Sequence, residues 1–302
     1  MSARAPARSR RGAHLRVARA AVVVNPDRPH LSRPLSALGR ALRRYRIEVT
    51  LYDAPSLTTG AFRAVRPAPQ LVVSLGGDGT ILAAARALAG SSVPLLAINR
   101  GGLGFLAATE QREAQTALRA ALEGRCTVEA HRLLEVLQHT PRGTTRTLGL
   151  AVNDAVLRSA DPARALRAEL TLEGEDLGTL LADGLVVATV AGSTAYSLSA
   201  GGPLLLGDLA AVVATPVCPH TLSSRSVVLS DKSRLEARVA PRGRGGAISL
   251  DGLPAVEIPA GDSVSFRLTT TRVRFLRLPE RGPARALRDK LNWHGTSVAR
   301  SP

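Results

Sequence analysis

Between residues 17 and 124, short unbroken apolar runs alternate with stretches of helical spacing, and this alternation restricts the fold more than any other feature. "VARAAVVVN" at 17–25 is valine-rich and continuous, as strands buried on both faces are. "LSALGRALRRY" at 35–45 carries the three-and-four spacing of a helix. "IEVTLYD" and "LVVSL" read as a second and third strand. "TILAAARALAG" predicts a helix stopped by Gly90, "VPLLAIN" at 93–99 a fourth strand, and "EQREAQTALRAALEG" at 110–124 a further helix. Strands and helices at this pitch build a doubly wound parallel α/β sheet.

After about residue 125 the texture changes. "LLEVLQHT", "RTLGLAVNDAVLRS" and the long stretches that follow are strand-like runs with Gly/Asp turns, and "EGED" at 173–176 suits a hairpin tip. This half is expected to be β-rich and sandwich-like. "ARALRDKLNW" at 284–293 returns to helical spacing. The expected organisation is a disordered basic leader at 1–17, an α/β domain at 18–125 and a β-rich domain at 126–280. A C-terminal helix and tail at 281–302 are expected to pack back on the first domain.

With 45% apolar residues but only 3% aromatics, the core must be built from Ala, Val and Leu. The net charge of +16 invites a nucleic-acid reading, but six arginines crowd the first twenty residues. No helix-turn-helix, zinc finger or aromatic-laced basic stripe accompanies the charge, so no nucleic-acid partner is expected. Cys126 and Cys218 lie far apart without metal-like spacing, which suits a reduced protein with buried thiols. No apolar run approaches the roughly 20 residues of a membrane helix, and the apolar run after the leader is too short for a secretory signal. A cytoplasmic protein without a membrane partner is expected.

Three stretches could carry chemistry. In "LVVSLGGDGTILAAARAL" at 71–88 a strand ends at Gly76, Gly77 and Gly79 around Asp78, and Thr80 opens a helix. That order puts bare backbone at the carboxyl end of a parallel strand and amides at a helix N-terminus, a setting for phosphate. Neither common nucleotide fingerprint fits. Asp78 makes sense if it aligns a hydroxyl that attacks a phosphate, or carries a metal. A tight turn with a capping aspartate stays open as the plainer account.

The second stretch, "INRGGLGFLAA" at 98–108, ends a strand in Asn99, then Gly101, Gly102, Gly104 and Phe105. The third, "ADGLVVATVAGSTAYSLSAGGP" at 182–203, opens a strand at Asp183-Gly184 and leaves it at Thr189. It continues through Gly192, Ser193, Thr194, Ala195 and Tyr196 to Ser199. Small hydroxylated residues beside one of only three tyrosines suit a polar ligand covered by a ring. Asn153 and Asp154 interrupt an apolar run, and a buried amide and carboxylate need partners, which a ligand or a hairpin could supply. His220 reads as a structural or interface residue, and His131, at the start of a strand, is assigned no role.

Together these motifs resemble the NAD kinases. Gly-Gly-Asp-Gly-Thr at 76–80, Asn99 to Leu106, Asn153-Asp154, Asp183-Gly-Leu, the segment 192–203 and Cys-Pro-His-Thr-Leu-Ser-Ser-Arg at 218–225 occur in order. The resemblance spans about residues 18 to 293. The first motif is shared with lipid kinases; the Gly-Ser-Thr-Ala-Tyr-Ser stretch is far more specific. It implies transfer of the ATP γ-phosphate to the 2′-hydroxyl of the adenosine ribose of NAD, giving NADP. Asp78 would accept the proton beside Gly79, with Gly76, Gly77, Gly79 and Thr80 as the phosphate loop. Phe105, Asn153, Asp154, Arg164, Asp183, Thr194, Ala195, Tyr196, Ser197 and Ser199 would contact NAD. Asp183 would come from a neighbouring subunit of a homodimer or homotetramer. Mg²⁺ or another divalent cation would accompany ATP, with no protein ligand assigned to it.

The chain departs from the family pattern at Val190-Ala191, where Pro and a hydroxyl residue are usual, and at Leu181, Leu253 and Ala83, where polar or basic groups are common. These changes touch substrate contacts and leave Asp78 in place. Arg86, one turn beyond Ala83, is expected to supply the missing positive charge. A lipid kinase should show an apolar tunnel where Gly192–Ser199 is hydroxyl-rich, and a non-catalytic NAD(P) sensor has less need of Asp78.

Overall fold

The computed structural model describes residues 16–100, 105–106, 109–241, 243–280, 282–291 and 293. The leader up to residue 15, Gly101, Gly102 and Gly104, and the tail beyond 293 lie outside the described residues. The rest falls into two compact units, 16–130 with 273–293, and 131–272.

The first unit contains β1 (Arg19–Val24), α1 (Ser32–Arg44), β2 (Glu48–Asp53), β3 (Leu71–Gly76), α2 (Asp78–Ala87), β4 (Leu95–Asn99), β5 (Thr109–Glu110) and α3 (Ala114–Leu122). Its strands run β2-β1-β3-β4, all parallel, with Val22 opposite both Leu51 and Val73. Side chains alternate across a strand, so one face gathers Ala20, Val22, Leu71, Val73, Leu96 and Ile98. These pack with Leu38 and Leu42 of α1 and Leu118 and Ala121 of α3. Helix α2, buried from Thr80 to Ala87, packs on β3 and β4 outside that cluster and so covers the other face. The doubly wound expectation holds. The chain leaves β1 for β2 and returns to β3 on the other flank of β1. Ligand crevices of open α/β sheets form at the carboxyl ends beside such a reversal, which is where Gly76 lies. The helix expected over 110–124 begins as a short 3₁₀ turn, closed by a reciprocal capping box between Glu110 and Glu113.

The chain enters the second unit through β6 (Thr127–His139). Next come β7 (Thr145–Ala151), β8 (Asp154–Ser159), β9 (Leu166–Leu172), β10 (Glu175–Ala182), β11 (Gly184–Thr189), the short α4 (Tyr196–Ser199) and β12 (Ala211–Val217). Then follow β13 (Val227–Ser230), β14 (Leu235–Val239), β15 (Gly246–Leu250), β16 (Val256–Ile258) and β17 (Ser263–Arg277). One antiparallel sheet is ordered β13-β12-β11-β8-β15-β16. The other carries β10-β9-β14-β17 with β6 and β7. Between them Leu157, Leu185, Val187 and Ile248 of the first sheet pack with Leu166, Ala168, Leu235 and Phe266 of the second, giving the expected sandwich. Glu173 and Gly174 form the hairpin tip between β9 and β10, both at positive φ as a two-residue turn demands. Strand β11 is buried on both faces because Val186 and Ala188 pack outward against Val156, Leu205 and Val213. Helix α5 (Pro283–Leu291) follows β17 within the first unit.

Candidate active site

In the first unit the sheet register assembles the catalytic candidate. Parallel pairing sets Asn99, the last residue of β4, beside Gly76, the last of β3. The chain then turns directly into α2, with Gly77 as its N-cap residue and Asp78 as its first residue. Asn99, 6% exposed, donates its side-chain amide to the Asp78 carboxylate, Nδ2 to Oδ1 at 3.1 Å. The Asp78 side of the loop faces solvent. The glycines divide in a telling way. A Cβ at Gly76 would lie 2.6 Å from Thr80 Oγ1, so packing within the chain demands glycine there. A Cβ at Gly77 or Gly79 would meet nothing within 4 Å, and neither residue has positive φ. The chain's own fold therefore gives no reason for glycine at 77 and 79, whereas close approach of a ligand does.

Phe105 is half-buried, and its carbonyl accepts a hydrogen bond from Arg277 Nη2 at 2.6 Å. That guanidinium is buried beside Glu129, and burial lowers its pKa to about 10. Arg86, expected to supply a positive charge, is 8% exposed within buried α2.

In the second unit the run at 146–159, expected as one strand-like stretch, is two strands broken at Val152–Asn153. Asp251, at φ +49°, holds the break open. Its carboxylate accepts the backbone N–H groups of Val152 (2.9 Å), Asn153 (2.7 Å) and Asp154 (3.3 Å), while its own N–H donates to the Asp154 carbonyl at 2.9 Å. From the other side the Thr189 N–H donates to the Asn153 carbonyl at 2.8 Å and the Thr189 hydroxyl to that of Val152 at 2.7 Å. Gly192 is pressed so close that a Cβ would lie 2.0 Å from the Asn153 carbonyl oxygen. Asn153 Oδ1 is buried with no hydrogen-bond partner among the described residues. Asp154 is buried, and burial, reinforced by the Asp251 charge, raises its pKa to about 7.

Thr194 and Ala195 are half-buried in the segment after Gly192, and the Thr194 hydroxyl donates to the Ala191 carbonyl at 2.8 Å. Tyr196 and Ser199 are exposed. Ser197 is fully buried, and its hydroxyl lies 2.9 Å from that of Thr215, a contact that anchors the segment. Val190, where the family usually has proline, packs on the outer face with Val186 and Ala188. Thus Asn153, Asp154 and the start of the 189–199 segment are brought together. Asp183 and Arg164 are not. Asp183 precedes β11 while Thr189 ends it, six residues or roughly 20 Å away. Antiparallel pairing sets Gly184 opposite Arg158, so the turn carrying Arg164 lies at the Asp183 end as well. Arg164 is exposed there and pairs with Asp161 at 3.6 Å.

Sequence reading passed over Asp251. Its signal was the Asp-Gly pair after a buried strand, a turn signature that gives no hint of a partner almost a hundred residues earlier.

Comparison with known proteins identifies the family. The pattern of the ATP-NAD kinase N-terminal domain matches residues 37–126, and that of the C-terminal domain residues 152–278. The NAD kinase of Methylococcus capsulatus is 35% identical over 285 residues, covering 90% of this chain and 96% of the relative. That of Acidithiobacillus ferrooxidans is 35% identical over 241 residues, 80% of this chain and 81% of the relative. Among solved structures, yeast NADH kinase complexed with NADH superimposes with a TM-score of 0.79 over 94% of this chain and 90% of its own, at 23% identity. An NAD kinase from Archaeoglobus fulgidus in complex with ATP gives 0.69 at 26% identity, over 91% and 97%. With relatives this similar over nearly its whole length, the chain belongs to the ATP-NAD kinase family.

Proposed function

We propose that the protein transfers the γ-phosphate of ATP to the 2′-hydroxyl of the adenosine ribose of NAD, forming NADP and ADP. The observation that carries this reading is Asp78, an exposed carboxylate oriented by Asn99 at the mouth of a loop left bare at Gly77 and Gly79. A sugar hydroxyl is a weak nucleophile, and positioning with charge stabilisation does most of the work in such transfers. The bond between ribose O2′ and the γ-phosphorus forms, the bond to the β,γ-bridging oxygen breaks, and the hydroxyl proton passes to Asp78. Gly76, Gly77, Gly79 and Thr80 hold phosphate at the start of α2. Asn153 and Asp154 bind the nicotinamide-side ribose and amide region, while Thr194, Ala195, Tyr196 and Ser199 line the NAD site.

A divalent cation bound with ATP would supply positive charge to offset that on the transferring phosphoryl group. Substrate phosphate oxygens are a donor set that suits Mg²⁺, and no protein ligand is assigned to it. Among the described residues no three His, Cys, Asp or Glu side chains gather into a cage for it.

The working form is a homodimer or homotetramer. Asp183 and Arg164 lie at the far end of their sheet from Asn153 and Thr189. They serve NAD if a second copy presents them. A pair of inactive variants, one at Asp78 and one at Asp183, should then recover activity when co-assembled.

Incubation with MgATP and NAD should yield NADP and ADP in equal amounts. An NAD analogue lacking the adenosine 2′-hydroxyl should yield neither. NADP absent from the first reaction would overturn the proposal.

A further inference from the structure

We propose that Asp251 is a positioning residue for this reaction: its carboxylate fixes the backbone of Val152–Asp154, and so aims the Asn153 amide and the Asp154 carboxyl at the NAD ribose. The inference rests on the function proposed above and deepens it.

The geometry makes the arrangement deliberate. A strand break exposes backbone N–H groups that would otherwise need water, and three consecutive ones converge on one carboxylate at 2.7 to 3.3 Å. A neutral amide side chain could not accept all three, since half of its polar edge donates. Asp251 reaches them from a left-handed backbone conformation that Asp, Asn and Gly tolerate far better than other residues. On the opposite side, Gly192 and Thr189 clamp the Asn153 carbonyl. The turn is gripped from both sides, yet the Asn153 side-chain oxygen inside it is buried with no hydrogen-bond partner among the described residues. A donor such as a ribose hydroxyl would complete it.

The two carboxyl groups divide their roles by their surroundings. The Asp251 carboxylate accepts three backbone N–H groups. Asp154 is buried next to that anion, and burial first and the Asp251 charge second keep its proton on to about pH 7. Asp154 therefore presents a hydroxyl donor to the ligand below about pH 7, and Asp251 is the charged group that acts on it.

The test compares the wild type with Asp251→Asn and Asp251→Gly. Both variants keep the left-handed backbone preference, and the glycine variant removes the acceptor outright, so one serves if the other misfolds. The KM for NAD should rise tenfold or more while the KM for ATP stays within twofold. The wild-type kcat/KM for NAD should show an inflection near pH 7, and in the variants that inflection should move to lower pH. A merely structural role would raise both KM values together and leave the inflection in place. An unchanged KM for NAD in a folded variant, or an unmoved inflection, overturns the inference. A wild type that makes no NADP overturns the proposed function instead.

Discussion

The side chain of Asn99, at the end of β4, donates a hydrogen bond to the carboxylate of Asp78, the first residue of α2, at 3.1 Å. The contact follows from parallel register, because Asn99 pairs beside Gly76 and the chain reaches Asp78 two residues later. A carboxylate poised to take a proton from a bound hydroxyl must be held in one rotamer, and this bond holds it.

Asn99→Leu should therefore lower kcat. A hydrogen bond to a charged group is worth about 1.5–3 kcal/mol, which corresponds to roughly a 10- to 100-fold loss. Steady-state kinetics at saturating NAD and ATP check this, and an unchanged kcat would remove Asn99 from the machinery.

The glycines separate fold from function. Gly76→Ala and Gly192→Ala drive a methyl into Thr80 and into the Asn153 carbonyl, and each should cost about 2 kcal/mol or more. Gly77→Ala and Gly79→Ala place a methyl in open space, so stability should stay within about 0.5 kcal/mol. Activity should nevertheless fall at 77 and 79, because the methyl stands where phosphate approaches. Urea melts beside kinetic assays decide the matter; loss of stability at 77 or 79 would contradict the division.

Two groups in the second unit, buried Asp154 and half-buried His131, give stability opposite pH slopes. Asp154 has its pKa raised to about 7 by burial and then by Asp251, so the fold binds its proton more tightly than the unfolded chain does. Its contribution is complete below about pH 4 and is lost as pH rises through about 7. His131 has its pKa lowered to about 4 by burial, which outweighs the opposing pull of Asp208. Its contribution is complete above 6.5 and is lost as pH falls toward 4. Asp154→Asn removes the first slope, so stability in that variant should climb from about pH 4 to about 6.5 more steeply than in the wild type. The gain over the wild type near neutrality should be on the order of a few kcal/mol. Denaturant melts across this range should diverge; parallel curves would contradict the assignment.

Much of the first unit could be read from its residues, because buried parallel strands are continuous runs such as Leu71–Leu75, and α2 starts where the glycines end. The sandwich was legible as a class but not in its pairing. Nothing local indicates that β14 lies between β9 and β17, since cross-strand partners are chosen by packing in three dimensions. At the site, Asp78, Asn153 and Asp154 stood out as polar residues in apolar or glycine-rich settings. Asn99 and Asp251 act on them across 21 and almost a hundred residues, and only register reveals such partners. Ser197 and Arg86 are of types that usually face ligand or solvent, and packing buries both, which their local sequence does not reveal.

The most direct test of the central claim is NADP formation from NAD and MgATP by the wild type and by Asp78→Asn. Asp78 is exposed, so the variant should melt as the wild type does and keep both KM values within a few-fold. Its kcat should fall by about 10²- to 10⁴-fold, the range a positioned proton acceptor supplies. A folded Asp78→Asn variant that turns over at the wild-type rate would contradict the account.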